Sequence, residues 1–341
     1  RGCATHGRPV ATQGQTNMIE APTLHAFDET HCTRGREHVL RRLVQFAVPM
    51  LLAACAVAPS PPAEYPQIGG FTTYDPAFEA IVGTDPRVER LAEGFNWAEG
   101  PTWIPAQQML LFSDVPGNTV YRWAEQDGLS EFLKPSGFAG ADASHLREAG
   151  ANGLYTEPQG TVLLADSGNR ALFRLDPQTR TKTLLADRFQ GKRFNSPNDV
   201  VRRADGRIYF TDPPYGLKDI DRSPVKELPF NGVYRLDPDG SVHLVDDALR
   251  YPNGVALSPD GNTLYVSNTD SDAPVWIAYA LDTDGAVQSR RVFADASDLV
   301  GETAPGLPDG MAVATDGTLF ATGPGGVIVF DPHGRRLGRI E

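Results

Sequence analysis

Cysteine is almost absent from this chain. All three cysteines among its 341 residues lie in the first 55 positions: Cys3, Cys32 and Cys55. The sequence after residue 55 therefore has no disulfide, no thiol nucleophile and no cysteine ligand for a zinc ion. Any metal site or catalytic group in that part must use other side chains.

Positive charge is also scarce. The 31 lysines and arginines are outnumbered by 43 aspartates and glutamates, which gives a formal net charge of -12 and a pI near 5.1. No basic cluster of functional size is present, so the sequence argues against binding to nucleic acid. The chain also has no Gly-x-Ser-x-Gly elbow and no His-Glu-x-x-His motif, which disfavours the serine hydrolases and zinc hydrolases that carry them.

The apolar run near the start of the sequence is short. It covers residues 43–54, a segment of 12 residues behind three arginines, and ends at Cys55. A helix that spans a bilayer needs about 20 apolar residues, so this run indicates a secretory signal. Leu52-Ala53-Ala54-Cys55 also resembles the bacterial lipobox, whose cysteine is acylated. We expect an exported, periplasmic protein that touches the membrane only through this lipid anchor; a plain signal peptide or a buried hydrophobic segment is the alternative.

The sequence predicts four segments. Residues 1–38 begin without methionine and show neither periodicity nor a fold signal, so we interpret them as a non-native or misassigned extension. Residues 39–55 are the signal segment, and the proline-rich residues 56–70 resemble a flexible linker. Residues 71–341 are expected to form the folded domain.

One pattern repeats along the folded domain. Four clear copies start at Asn152, Asn198, Asn253 and Asp309, and in each a turn glycine follows eight positions later, before a strand rich in β-forming residues. A less regular copy starts at Glu99. The starts are 46 to 56 residues apart, close to the ~40–50-residue spacing of propeller blades. No helical periodicity of useful length intervenes, so the pattern indicates an all-β fold.

We therefore predict a six-bladed β-propeller, of which five units are visible. A sixth unit at the same spacing would need roughly another 35 to 40 residues after Glu341. We interpret the chain as truncated in its last blade, and a ring of five units is the alternative. Residues 85–92 are expected to form an outer strand that pairs with the last blade and closes the ring.

The polar residues that open the repeats should converge on the propeller axis. They are two carboxylates and three amides: Glu99, Asn152, Asn198, Asn253 and Asp309. Ca²⁺ takes such oxygen ligands, whereas zinc prefers histidine and cysteine. We expect Ca²⁺ in this position, with Mg²⁺, Mn²⁺ or Zn²⁺ as alternatives. The histidines of the domain lie outside the repeat register: His145, His243 and His333.

Five motifs, in the same order, resemble those of the regucalcin/gluconolactonase family over about Val88 to Glu341. They are Glu99-Gly100-Pro101-Thr102-Trp103, Ser196-Pro197-Asn198-Asp199-Val200, Phe210-Thr211-Asp212-Pro213-Pro214-Tyr215-Gly216, Pro252-Asn253-Gly254 and Pro308-Asp309-Gly310-Met311. That family consists of six-bladed propellers that hydrolyse sugar lactones with a divalent metal in the channel. The resemblance implies that Glu99, Asn253 and Asp309 bind the metal. It also places Asn198 at the metal or the substrate and makes Asp309 the candidate for proton transfer.

Four further residues are candidates for the site. Asp199 is a second candidate for the base, with a turn cap as its alternative role. Asn152 is expected to bind substrate because it shares the repeat register, and Arg193 because it lies near the family's substrate-binding arginine. Tyr215 is expected to contact substrate at the mouth of the channel, with loop packing as the alternative.

The predicted reaction is hydrolysis of a sugar lactone, such as glucono-1,5-lactone, to the aldonic acid. A cation can polarise the lactone carbonyl and stabilise the charge that develops when water attacks, so no covalent nucleophile is required. Two alternatives stay open. The propeller could use the same ion to hold a sugar without catalysis, or the chain could be an inactive fragment that lacks blade six.

Overall fold

The computed structural model describes residues 65–301 and 304–341. The predicted extension 1–38, the signal segment 39–55 and most of the linker 56–70 lie outside these residues. In the described ranges, no helix has the length and apolar character needed to cross a membrane.

The described chain begins with four short elements. They are β1 (Gln67–Ile68), β2 (Phe71–Thr73), helix α1 (Ala77–Val82) and β3 (Val88–Glu89). Strands β1 and β3 form an antiparallel pair. Strand β2 instead joins a sheet that is formed by the end of the chain.

Four antiparallel sheets of four strands follow, and we call them blades 1 to 4. Within each blade the strands pair in the order of the sequence. Blade 1 contains β4 (Ala98–Ile104), β5 (Met109–Asp114), β6 (Thr119–Ala124) and β7 (Gly128–Leu133), and blade 2 contains β8 (Ala151–Thr156), β9 (Val162–Asp166), β10 (Ala171–Asp176) and β11 (Thr181–Ala186). A hairpin of β12 (Arg188–Phe189) and β13 (Lys192–Arg193) precedes blade 3, which contains β14 (Val200–Arg202), β15 (Ile208–Asp212), β16 (Gly232–Leu236) and β17 (Val242–Asp246). Blade 4 contains β18 (Pro252–Leu257), β19 (Thr263–Asn268), β20 (Val275–Leu281) and β21 (Val287–Asp295).

Blade 5 is a sheet of five strands that joins the two ends of the described chain. It contains β22 (Met311–Val313), β23 (Leu319–Gly323), β24 (Gly326–Phe330) and β25 (Arg336–Ile340), with β2 paired to β25. Two single-turn 3-10 helices lie in connections, at Pro105–Gln107 and Ile220–Arg222. The all-β propeller is thus confirmed, with five blades in the described residues.

The predicted turn glycines connect the first two strands of blades 2 to 5. Their φ angles are all positive, at +91°, +97°, +69° and +88° for Gly160, Gly206, Gly261 and Gly317. Only glycine adopts this left-handed conformation without a steric cost from Cβ. The turn geometry therefore explains why the same residue recurs in the same position of each repeat.

Apolar side chains are buried between neighbouring blades. Four clusters each join one adjacent pair, from blades 1 and 2 to blades 4 and 5. Burying a large apolar side chain contributes about 1.5–3 kcal/mol, so each cluster fixes a blade against its neighbour. Among the described residues, no cluster joins blade 5 to blade 1. A fifth cluster instead packs Phe78 of α1 against Val329 and Leu337 of blade 5.

The prediction that residues 85–92 form an outer strand paired with the last blade is wrong. Of these residues only Val88 and Glu89 form a strand, and they pair with β1. Strand β2 pairs with the last strand of blade 5 in their place, from Phe71 opposite Ile340 to Thr73 opposite Gly338. Phe71 packs against the apolar cluster around Phe78, whereas four of the eight residues in 85–92 are charged.

Candidate functional site

A cavity of about 1270 Å³ lies between the first strands of the five blades, and we call it the channel. Each first strand begins at the same end of its blade, so the polar residues that open the repeats meet there. The channel wall includes Glu99, Asn152, Asn198, Asp199, Asn253 and Asp309. The two carboxylates and three amides of the repeat register therefore share one cavity.

Glycine next to these polar residues lets successive blades approach closely. A methyl group on Gly100 would overlap the carbonyl oxygen of Asn152, and one on Gly254 would overlap the carbonyl oxygen of Asp309. At Gly153 the backbone N–H donates to the Asn198 carbonyl at 2.7 Å. The glycine in the repeat thus determines how near the polar side chains of neighbouring blades can lie.

Asp199 occupies the glycine position in the repeat of blade 3. One carboxylate oxygen accepts the N–H of Val200 and the other accepts the N–H of Val255 in blade 4, both at 2.8 Å. Burial raises the pKa of Asp199 to about 7. The carboxylate therefore links two blades as a backbone cap and also faces the channel, which keeps both of its predicted roles open.

Thr269 orients the amide of Asn253. The Nδ2 group of Asn253 donates to the Thr269 hydroxyl at 2.9 Å, and that hydroxyl donates to the Pro308 carbonyl at 2.6 Å. Because the side-chain nitrogen of Asn253 is hydrogen-bonded, its side-chain oxygen, Oδ1, is the atom left for a ligand. The same hydroxyl ties Asn253 to the residue that precedes Asp309.

We predict that Thr269→Val weakens Ca²⁺ binding about tenfold, as expected for the loss of ~1–1.5 kcal/mol of hydrogen bonding. Without the hydroxyl, the Asn253 amide is free to rotate away from the channel. Calorimetric titration of chelator-stripped protein with Ca²⁺ measures the effect. Thr283→Val is the control, because Thr283 lies exposed elsewhere on the channel wall. Unchanged affinity in Thr269→Val would refute this positioning role.

Each carboxylate of the channel makes it less favourable for its neighbours to be ionised. Burial raises the pKa of Asp309 well above its ordinary value, and the charges of Glu99 and Asp199 raise it further. Burial also raises the pKa of Glu99, and the indole N–H of Trp97 opposes this by donating to its carboxylate. A cation among these groups would relieve the repulsion.

The donor set fits a hard cation. In the part of the chain that the structure describes, no three or more His, Cys, Asp or Glu side chains are grouped as a metal site. A cation in the channel would therefore need amide oxygens as well as carboxylates, and Asn198 and Asn253 carry them. Ca²⁺ accepts such mixed oxygen ligands. None of the described histidines lines the channel, which disfavours zinc.

Glu148 is an acidic residue off the channel wall whose charge interacts with that of Glu99, and sequence reasoning missed it. It lies in the connection between blades 1 and 2, where its N–H donates to the Gly216 carbonyl at 3.3 Å and its carboxylate lies 3.5 Å from the guanidinium of Arg147. Burial raises the pKa of Glu148 to about 7, against the effect of Arg147, and the charge of Glu99 adds to the rise. This connection has no repeat register, so the sequence offered no signal for it.

Two predicted residues lie outside the channel wall. Tyr215 stacks on Tyr251 with ring centroids 5.8 Å apart, and burial raises its pKa, with a further contribution from the charge of Asp309. Arg193 lines a second, separate cavity. The β12–β13 hairpin places Arg193 there, because its backbone N–H donates to the Glu227 carboxylate at 2.9 Å.

The metal-free protein is expected to lose stability as the pH rises from 5 to 8. Glu148 and Asp199 have pKa values of about 7 in the fold, above the roughly 4 of the unfolded chain. Their stabilising contribution is therefore complete below a pH of roughly 4, is lost as the pH rises from roughly 4 to about 7, and changes little above that. Thermal melting in EDTA across this range measures the slope, which Glu148→Gln should flatten. A melting temperature that rises with pH would contradict this expectation.

The fold and site define an all-β propeller whose central channel is lined by carboxylates and amides. The family described as SMP-30/Gluconolactonase/LRE-like region matches residues 97–341, and the chain belongs to this family. The resemblance that the motifs indicated is therefore confirmed.

Three similar proteins are informative. A gluconolactonase from Zymomonas mobilis is 45% identical over 277 residues, which cover 80% of this chain and 78% of that protein. The solved structure of a gluconolactonase from Xanthomonas campestris is 37% identical, covers 83% of this chain and 89% of its own, and has a TM-score of 0.69. Regucalcin from Agrobacterium tumefaciens, described as a calcium-binding protein, is 20% identical over 72% of this chain and 75% of its own, with a TM-score of 0.55. At this identity it supports the fold alone.

Proposed function

We propose that this protein is a divalent-cation-dependent lactone hydrolase that converts an aldonolactone such as glucono-1,5-lactone to the aldonic acid. The observation that carries the proposal is the meeting of Glu99, Asn253 and Asp309 in one channel. The chain is also 45% identical to a gluconolactonase, which supports the same reaction class.

Glu99, Asn253 and Asp309 would hold the cation, and Asn198 would contact either the cation or the substrate. Ca²⁺ is the ion proposed, with Mg²⁺, Mn²⁺ or Zn²⁺ as alternatives. When bound, the cation supplies a Lewis acid that polarises the lactone carbonyl.

The other groups of the channel bind the substrate and move protons. Asn152 and Asn198 are nearly buried, at 5% and 6% exposure, so their amides can bind lactone hydroxyls without competition from bulk water. Asp309 is the group proposed to exchange a proton with the attacking water or the leaving oxygen. Asp199 is the second candidate for this proton transfer, because its oxygens already accept hydrogen bonds from two backbone N–H groups.

Turnover of a lactone panel tests this function. The full chain is assayed with glucono-1,5-lactone, a pentonolactone and an acyclic ester by a pH indicator, before and after EDTA. We expect hydrolysis of the sugar lactones above the spontaneous rate, little activity on the acyclic ester, and loss of activity in EDTA. A folded, cation-loaded protein that hydrolyses no lactone would instead indicate a binding propeller or an inactive fragment.

We further propose a sixth blade between blades 5 and 1. A methyl group on Gly310 would meet no atom of the described residues within 4 Å, unlike the equivalent glycines of blades 1, 2 and 4. Trp97 and Trp103 of the blade 1 side are 59% and 43% exposed. The mass of the native protein, or the reading frame downstream of Glu341, tests this proposal, and a native protein without a further four-stranded unit would contradict it.

We propose export and lipid anchoring for the segment that ends at Cys55, which lies outside the described residues. The short apolar run before this cysteine supports the proposal. Cell fractionation of the native protein and of Cys55→Ala tests it. A wild-type protein that stays in the cytoplasm would contradict export.

A further inference from the structure

A second cavity, of about 610 Å³, lies among loops of blades 1 to 3. Its wall includes Phe138, His145, Arg170, Arg193, Val225 and Glu227. It shares no lining residue with the channel among the described residues. Because Arg193 lies here and not on the channel wall, the predicted reaction in the channel leaves these side chains without a role.

Arg170 is the buried cation of this cavity, with 5% exposure. Its Nε group donates to the carbonyl oxygens of Phe194 and Asn195, at 2.8 and 3.1 Å. Its Nη2 group is buried and has no hydrogen-bond partner among the described residues. One edge of the guanidinium therefore has a structural role, while a donor elsewhere on it is unused.

Arg193 provides a second unused donor. Its Nη2 group donates to the Asn169 carbonyl at 2.5 Å, but its buried Nε group has no partner in the part of the chain described. Leaving a buried charged donor unpaired is costly. Both donors have almost no accessible area, so a ligand's acceptor would reach them only after a small shift of the two side chains, and that shift would remove the cost. Arg170 and Arg193 line the same cavity. Burial lowers the pKa of Arg170 and the charge of Arg193 lowers it further, while the charges of Asp212 and Glu227 oppose this.

The rest of the wall offers hydrogen-bond acceptors and an apolar surface. Glu227 already accepts the backbone N–H of Arg193, and Asp142 accepts that of Ser144 at 2.9 Å. Carboxylates have several lone pairs and can accept further bonds from hydroxyl groups. His145 packs edge-on against Phe138, with centroids 5.5 Å apart. The cavity thus combines two cationic donors with acidic acceptors, a pattern that suits a ligand carrying both a negative charge and hydroxyl groups.

We propose that this cavity is a binding site for a small polyhydroxylated carboxylate, a sugar acid, whose carboxylate contacts Arg170 and Arg193 and whose hydroxyls contact Glu227. The choice of a sugar acid rests on the proposed function, because lactone hydrolysis releases one. A phosphate group could satisfy the same arginines, and the test separates the two.

Calorimetric titration of the full chain in EDTA, with gluconate and with inorganic phosphate, tests the site. EDTA removes cation-dependent binding in the channel. We expect saturable gluconate binding that weakens about tenfold to a hundredfold in Arg193→Met, because charge-assisted hydrogen bonds are lost. Arg193→Lys should weaken it less, because the charge is kept.

Arg188→Met is the matched control. Arg188 lies opposite Arg193 in the β12–β13 hairpin, and its guanidinium donates to the Gly191 carbonyl at 3.1 Å outside the cavity. Its charge also acts on Arg170, but its side chain does not line the cavity, so this substitution should weaken gluconate binding far less than Arg193→Met does. Val225→Trp provides a second test that keeps both arginines, since a larger side chain would fill the cavity and abolish binding.

Three results would overturn the assignment. They are no gluconate binding at millimolar concentration, equal affinity in folded Arg193→Met and wild type, or tighter binding of phosphate than of gluconate. The titration measures binding without turnover, so its failure is distinguishable from failure of the proposed reaction, which the lactone assay reports.

Discussion

Asp309→Asn is expected to lower kcat/KM for glucono-1,5-lactone by about 10²–10⁴-fold, the usual contribution of a proton-transfer group. The amide keeps the size of the side chain but cannot exchange a proton. The backbone of Asp309 is held by a 3.0 Å hydrogen bond to the Thr322 carbonyl, which the substitution leaves in place. The melting temperature of the metal-free protein should not fall, because a buried carboxylate that raises the energy of its neighbours is removed.

Asp316→Asn is the control for this substitution. Asp316 lies in the exposed turn of the same blade and accepts the Thr318 N–H at 2.9 Å. Steady-state kinetics, melting curves and Ca²⁺ titrations of both variants separate the effects on catalysis, stability and metal binding. Activity of Asp309→Asn within tenfold of wild type would remove Asp309 from the reaction.

Gly254→Ala is expected to destabilise the fold by roughly 2–3 kcal/mol, in the upper range for overpacking. A methyl group there would collide with backbone atoms of Asp309 and Gly310, which cannot move as a flexible side chain can. The collision would also separate Asn253 from Asp309, so Ca²⁺ affinity should fall at least tenfold. Chemical denaturation and calorimetric titration measure the two effects.

Gly310→Ala is the matched control, because the equivalent methyl group meets no atom of the described residues within 4 Å. In the 341-residue chain it should change the free energy of unfolding by less than about 0.5 kcal/mol, as substitutions away from packed features do. Equal destabilisation by the two variants would contradict the role given to close blade contacts. In a protein with a sixth blade, Gly310→Ala should become destabilising as well.

The repeat register predicted much of the fold from the sequence. Turn glycines and the polar residues before each first strand recur because every blade needs the same turn and begins its first strand at the channel. A glycine must adopt a positive φ in the turn, as Gly261 does at +69°. The residue that opens each strand then faces the axis, which is why Glu99, Asn253 and Asp309 share one cavity.

Features outside the register could not be predicted in this way. Glu148 and Arg193 lie in connections, whose paths depend on contacts such as that between Arg193 and Glu227. The strand that completes blade 5 is Phe71–Thr73, whose partly buried aromatic side chain packs against the apolar cluster of α1 and blade 5, whereas residues 85–92 are rich in charge. The partners of Asp199 belong to two different blades and become visible only when the blades are assembled.

The most direct test of the central claim is a Ca²⁺ titration of lactone turnover in chelator-stripped full chain. Bound Ca²⁺ and the rate of glucono-1,5-lactone hydrolysis are measured on the same samples. If Glu99, Asn253 and Asp309 hold one catalytic cation, the rate should rise in proportion to bound Ca²⁺. It should stop rising at about one ion per chain, as expected for a single site. A rate that is unchanged by complete removal of divalent cations would contradict the account.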